Sequence, residues 1–158
     1  MDYLVLKWVH VLSSTILFGA GVGSAFHLFV ATLRRQVGGM ATATRTVVTA
    51  DWLLTTPSSI LQPVTGIWLV HKMGVPFSTP WIAWSLGLYV LAIACWLPVV
   101  WIQIRMRDVM AEAERTGAPV PAAYDRMFHQ WVVLGFIALF SFLLIFWLMV
   151  AKRLPWAG

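Results

Sequence analysis

The stretch KWVHVLSSTILFGAGVGSAFHLFVATLRR, residues 7–35, decides the fold. Residues 8–33 carry no Lys, Arg, Asp or Glu. As a helix they rise ~39 Å, more than the ~30 Å of a bilayer's hydrocarbon core. The run is far longer than the ~7–15-residue core of a signal peptide and ends in no small-x-small cleavage site. It is expected to remain as a first membrane helix. Three further apolar stretches follow it. The 158 residues are 60% hydrophobic and 11% charged, with a mean hydropathy of +0.81, whereas a soluble domain carries about 25% charged residues. The expected architecture is an all-α membrane protein. It is one domain over residues 1–158, a four-transmembrane-helix bundle with spans at about 4–33, 51–71, 81–110 and 122–151.

The connections follow from composition. Gln36 to Thr49 is rich in Gly, Ala and Thr and reads as a loop with room for a short surface helix. Met73 to Pro80 has turn composition, and Glu112 to Pro121 is the most polar loop. Pro57, Pro63 and Pro98 fall inside spans, where neighbours can re-satisfy the freed carbonyls. The net charge is +5, and the bases sit beside the spans. Arg34, Arg35, Arg45, Arg105, Arg107, Arg115 and Arg126 lie on one side, and Lys7, Lys72, Lys152 and Arg153 on the other. That excess predicts both long loops in the cytoplasm and both termini outside. It also accounts for the charge without nucleic acid, leaving the lipid bilayer as the expected partner. Trp8, Trp68, Trp81, Trp84 and Trp156 would mark the outer interface, and Trp52 and Trp131 the inner one. The single Cys95 excludes an internal disulfide and any multi-cysteine cluster.

Four histidines then stand out. His10 and His71 fall at the outer level, His27 and His129 at the inner. His10 and His27 are ~26 Å apart along the first helix, so no single ligand touches both. Two pairs are conceivable, His10 with His71 and His27 with His129. Neutral imidazole ligates iron, and an apolar bundle suits a porphyrin face. Gly21 lies ~20° from His10 on a helical wheel, and Gly23 lies beneath His27. These glycines would make room for a flat macrocycle, or serve close helix packing. An ionisable group within a span is a functional candidate, and His10 lies furthest inside one. For His71 and His129 a solvated interfacial position competes.

A polar stripe is the second signal. Asp51, Thr55, Ser58, Gln62 and Thr65 recur at helical spacing on the second span. Ser85, Tyr89, Trp96 and Gln103 form a partial counterpart on the third. Such faces turn toward the bundle or a wet cavity. Asp51, Ser58, Gln62 and Gln103 are the candidate polar pocket, for a cofactor's edge, a proton or a quinone head group. Interhelical hydrogen bonding is the structural alternative. Asp51 would anchor Arg45 or Arg105, or relay a proton. No phosphate loop, His-x-x-x-His pair or serine nucleophile motif is present.

Lys7-Trp8-Val9-His10-Val11-Leu12 with Phe26-His27, Ile60-Leu61-Gln62-Pro63-x-x-Gly66 and Cys95-Trp96-Leu97-Pro98-x-x-Trp101-x-Gln103 resemble a bacterial family of predicted integral membrane proteins of unknown function. The resemblance covers most of the chain and implies a bacterial inner membrane. More distantly, Lys7-x-x-His10 is similar to the HemJ-type protoporphyrinogen oxidases, four-helix haem b proteins. That likeness implies His10 as a haem ligand or catalytic histidine. Trp81 to Leu86 lacks the lysine those proteins carry at the start of the third helix, and their Pro-Arg after the first helix is absent. The departures argue against that reaction and leave haem binding. The leading expectation is a haem-b-binding protein, with one haem or two, in electron transfer or oxidoreduction with a quinone or a protein redox partner. His10, His71, His27 and His129 would be the iron ligands. The alternatives are a small-substrate carrier, an accessory subunit, or metal handling at the outer histidines.

Overall fold

The structure is a computed structural model, and it describes residues 2–155. Trp156, expected at the outer interface, lies outside the described residues. The described chain is four helices, and their order is that of the four expected spans. Helix α1 is Tyr3–Arg34. The second helix runs unbroken as α2 (Val37–Ala50), a π turn (Asp51–Thr55) and α3 (Thr56–Met73). Helix α4 is Pro80–Thr116 and α5 is Ala122–Ala151. Helices α1, α4 and α5 are each long and apolar enough to cross a membrane. The second helix has the length but carries the polar stripe.

Two boundaries differ from expectation. Gln36 to Thr49, read as a loop with room for a short surface helix, lies almost wholly in the helix Val37–Ala50, which is not a surface helix: Met40, Ala41, Ala43, Thr44, Val47 and Val48 are buried. Gly38 and Gly39 weaken the local helix signal. The small residues instead allow close approach to α4, where a Cβ on Gly38 would stand 3.5 Å from Glu114 Oε1. Helix α4 likewise continues through Glu112 to Thr116, where a polar loop was expected. Arg115 and Glu112 pair across one turn of this extension. Gly117, at φ 67°, then ends it in the left-handed conformation.

Asp51–Thr55 widens into a π turn directly before Pro57. Proline has no N–H to give, and its ring collides with the carbonyl four residues back. The wider turn relieves that collision, and the Thr56 N–H bonds to the Asp51 carbonyl five residues back.

Packing divides the bundle into two helix pairs. Helix α4 lies along α5, and α1 lies along α3. Helix α2 joins the pairs by packing on both α1 and α4. This junction holds the densest core: Leu28, Met40, Val47, Met106, Met110 and Tyr124 are fully buried. It forms the end of the bundle away from the termini, here the far end. Toward the terminal end, α1 and α5 meet through long side chains such as the Phe18–Phe146 edge contact, at 5.2 Å between ring centres. The cleft left between the pairs positions the candidate site.

Candidate functional site

Two chambers lie in the cleft, one above the other. The terminal-end chamber, about 360 Å³, is lined by residues including His10, Gln62, Gly66, Trp81, Ser85 and Tyr89. The far-end chamber, about 380 Å³, is lined by residues including Gly21, Asp51, Thr55, Trp96, Gln103 and Trp131. Leu17 and Phe142 line both and so form the partition. Tyr89, whose ring meets Phe142 edge-on, donates its hydroxyl to the Ser59 carbonyl across the same level. A larger open depression of about 470 Å³ lies near Arg105 and Pro121. Its charges are already engaged, Asp108 by Arg107, Glu112 by Arg115, and Arg105 over the Trp101 ring, so no polar group converges there.

The terminal chamber is built on His10. Ser13 Oγ donates to the Gln62 carbonyl oxygen, which turns the Gln62 amide nitrogen to His10 Nε2 at 3.1 Å. His10 Nε2 is therefore the acceptor, and Nδ1 carries the proton. Nδ1–H donates to Thr65 Oγ1 at 2.7 Å, and the Thr65 hydroxyl donates to the Leu61 carbonyl at 2.8 Å. This network fixes a neutral imidazole whose Nε2 lone pair is taken by the Gln62 amide at the chamber wall. Gly66 makes the space, because a Cβ there would meet His10 Cε1 at 3.1 Å. Gly66 was not among the expected site residues. Its signal is the spacing Gln62-x-x-x-Gly66, one helical turn on the face toward α1.

The far chamber is built on Asp51, buried on the π turn. With its amide oriented by its neighbours, Gln103 donates to Asp51 Oδ2 and accepts from Trp131 Nε1 at 3.0 Å. Trp131 is buried, not at the interface as its place near a helix start suggested. Asp51 anchors neither arginine proposed for it. Arg45 pairs with Glu114 at 2.9 Å, and the Arg105 guanidinium lies 4.9 Å from the Trp101 ring centre. Thr55 Oγ1 and Trp96 Nε1 are buried and face the Asp51 carboxyl, which is the acceptor within their reach.

The expected polar pocket is thus split, with Gln62 in one chamber and Asp51 and Gln103 in the other. Ser58 is buried but lines neither. His27, His71 and His129 are exposed and line neither chamber. His71 packs edge-on against Phe77, which does line the terminal chamber. Gly21 borders the far chamber rather than that of His10, and Gly23 is exposed. A Cβ on either would meet nothing within 4 Å, so neither serves close packing within the described chain. Among the described residues, no group of three or more His, Cys, Asp or Glu could hold a metal ion. The side chain of His10 would suit an iron ligand: Thr65 holds the far ring nitrogen, as ligating histidines require, and Gln62 would have to release Nε2.

The chain belongs to the family described as predicted integral membrane protein (DUF2269), matched over residues 4–153. No curated protein and no solved structure matches it. Family membership agrees with the broader of the two sequence resemblances, and the HemJ-type likeness has no counterpart among these comparisons.

Proposed function

We propose that this protein binds a lipid-soluble small molecule with a hydrogen-bonding head group, of the quinone class, in the chamber beside His10. The observation that carries this reading is the pairing of an acceptor and a donor on one apolar wall. His10 Nε2 accepts from Gln62 Nε2 at 3.1 Å, so acceptor and donor stand within one hydrogen bond of each other. A dihydroxy (reduced) head group can donate to His10 by displacing the Gln62 amide, and its dicarbonyl (oxidised) form can accept from the second N–H of that amide. The chamber also borders lipid: Val11, Ile67 and Val150, which help to line it, are exposed on the bundle surface. A hydrophobic molecule can therefore reach it from the bilayer. The positive-inside excess supports a reading in which the His10 level and both termini lie on the outer side of the membrane, proposed here as a bacterial inner membrane.

The test is equilibrium binding of a short-chain ubiquinone to the purified full chain in detergent. Saturable binding should weaken at least tenfold in His10→Ala and in Gln62→Ala. Equal binding in wild type and both variants, or none in wild type, overturns the reading.

A second reading keeps haem b, favoured by the Thr65 bond that holds the tautomer a ligating histidine needs. Haem would supply one-electron redox chemistry, and this chain would supply His10 as an iron ligand and the apolar wall around it. Haem-supplemented expression followed by oxidised and reduced absorption spectra decides it. A Soret band that His10→Ala removes or shifts supports haem, and a colourless protein ends that reading.

A further inference from the structure

We infer that the far chamber is a separate binding site for a lipophilic organic cation, held by the Asp51 carboxylate within an aromatic wall. The inference does not depend on what occupies the chamber of His10. Asp51 is 4% exposed and lines a cavity of about 380 Å³, within the range that takes small organic molecules. Among the described residues no Lys, Arg or His pairs with it. A buried carboxyl without a countercharge is held protonated or is paired with a bound cation.

The remainder of the wall suits a cation. Phe18, Phe26, Phe29, Phe136, Phe142 and Trp131 face the same space. Aromatic faces attract ammonium groups electrostatically, and more strongly when water is excluded. Two further polar groups stand beside the carboxyl. Thr55 Oγ1, on a residue 5% exposed, and Trp96 Nε1 are buried and face Asp51. With Gln103 they favour the charged carboxylate that a cation would meet. Val22, Phe26 and Phe136 border the chamber and are exposed on the bundle surface, so the ligand enters from lipid and is itself apolar outside its head.

Protons compete for the same site. Asp51 is the one titratable side chain of the described residues lining this chamber. Gln103 and Trp96 face it from α4 and Trp131 from α5, all uncharged, and α1 contributes apolar residues and Ser24. Acid therefore acts on cation binding through Asp51.

The test uses the full chain in detergent and radiolabelled benzyldimethyl(2-hydroxyethyl)ammonium in equilibrium dialysis. The expected result is saturable binding, at least tenfold tighter than that of the neutral analogue with carbon in place of nitrogen. Asp51→Asn, which can still accept from Gln103, should lose at least tenfold, and His10→Ala should change nothing. In the wild-type protein, affinity should fall as the pH is lowered from about 8 to about 4, which needs no variant to fold. Equal binding of the neutral analogue, full binding by a folded Asp51→Asn variant, an affinity flat with pH, or no binding of the cation overturns the inference.

Discussion

At the residue scale the chemistry is concentrated in hydrogen bonds whose partners come from different helices. His10 on α1 is held by Gln62 and Thr65 on α3. Thr65→Val keeps the shape but leaves the Nδ1–H without an acceptor. It is expected to cost ~1–3 kcal/mol of stability, measured as a lower melting temperature in detergent. Gly66→Ala pushes a methyl toward His10 Cε1, and the ring, tied at both nitrogens, has little freedom to yield. It should weaken quinone binding several-fold and cost ~1–3 kcal/mol, with binding at Asp51 unchanged. Gln103→Leu strips partners from both Asp51 and Trp131, so its melting temperature should fall further than that of Thr65→Val. That His10 is the histidine lining a chamber was partly legible, and what holds it there was not. Depth in the apolar run already favoured His10 over His71, which adjoins Lys72, and His129, which precedes Gln130, but its partners Gln62 and Thr65 come from another helix.

At the element scale the decisive feature is the π turn before Pro57. It sets the rotation of Asp51 relative to Gln62 on one continuous helix. Pro57→Ala removes the ring that collides with residue 53, so a plain α-helix becomes accessible. The variant should fold with unchanged helix content by circular dichroism, turn Asp51 away from Gln103, and lose cation binding. Helix ends show a different strain. Lys152 closes α5 at φ 51°, a region glycine occupies without steric penalty. Lys152→Gly should therefore raise the melting temperature, by the equivalent of ~1 kcal/mol. At the exposed end of α4, Arg115 holds the Glu112 carboxyl below its ordinary range. That contribution is present above the usual carboxylate range and is lost as acid protonates Glu112 through its lowered value. Hydrogen-exchange protection at residues 112–116, taken relative to the intrinsic rate at each pH, should fall on acidification.

At the scale of the whole molecule, two helix pairs joined at one end leave a cleft that the partition at Leu17 and Phe142 divides in two. Filling one chamber should leave the other intact. Gly21 has open space beyond it, so Gly21→Phe should block the cation and spare the quinone. Dense packing at the far end and long aromatic contacts nearer the termini imply that the pairs part most readily at the terminal end. Backbone amides of α2 should exchange more slowly than those near the start of α1.

Hydrophobic runs and their spacing determined the membrane class and the order of four helices. Burial in lipid depends on composition and length, which are local properties. The inward polar stripes were legible for the same reason, as a 3.6-residue period. Tertiary structure alone decided that residues 37–50 are a core helix, because small residues gain stability only against the helix they let approach. It alone divided Gln62 from Asp51, and brought Gly66 under His10 and Trp131 onto Gln103. These are contacts between distant segments, and their distances depend on how the two pairs lean apart. The stretch at residues 7–35 carries one wall of each chamber, but its own small residues do not say what faces them.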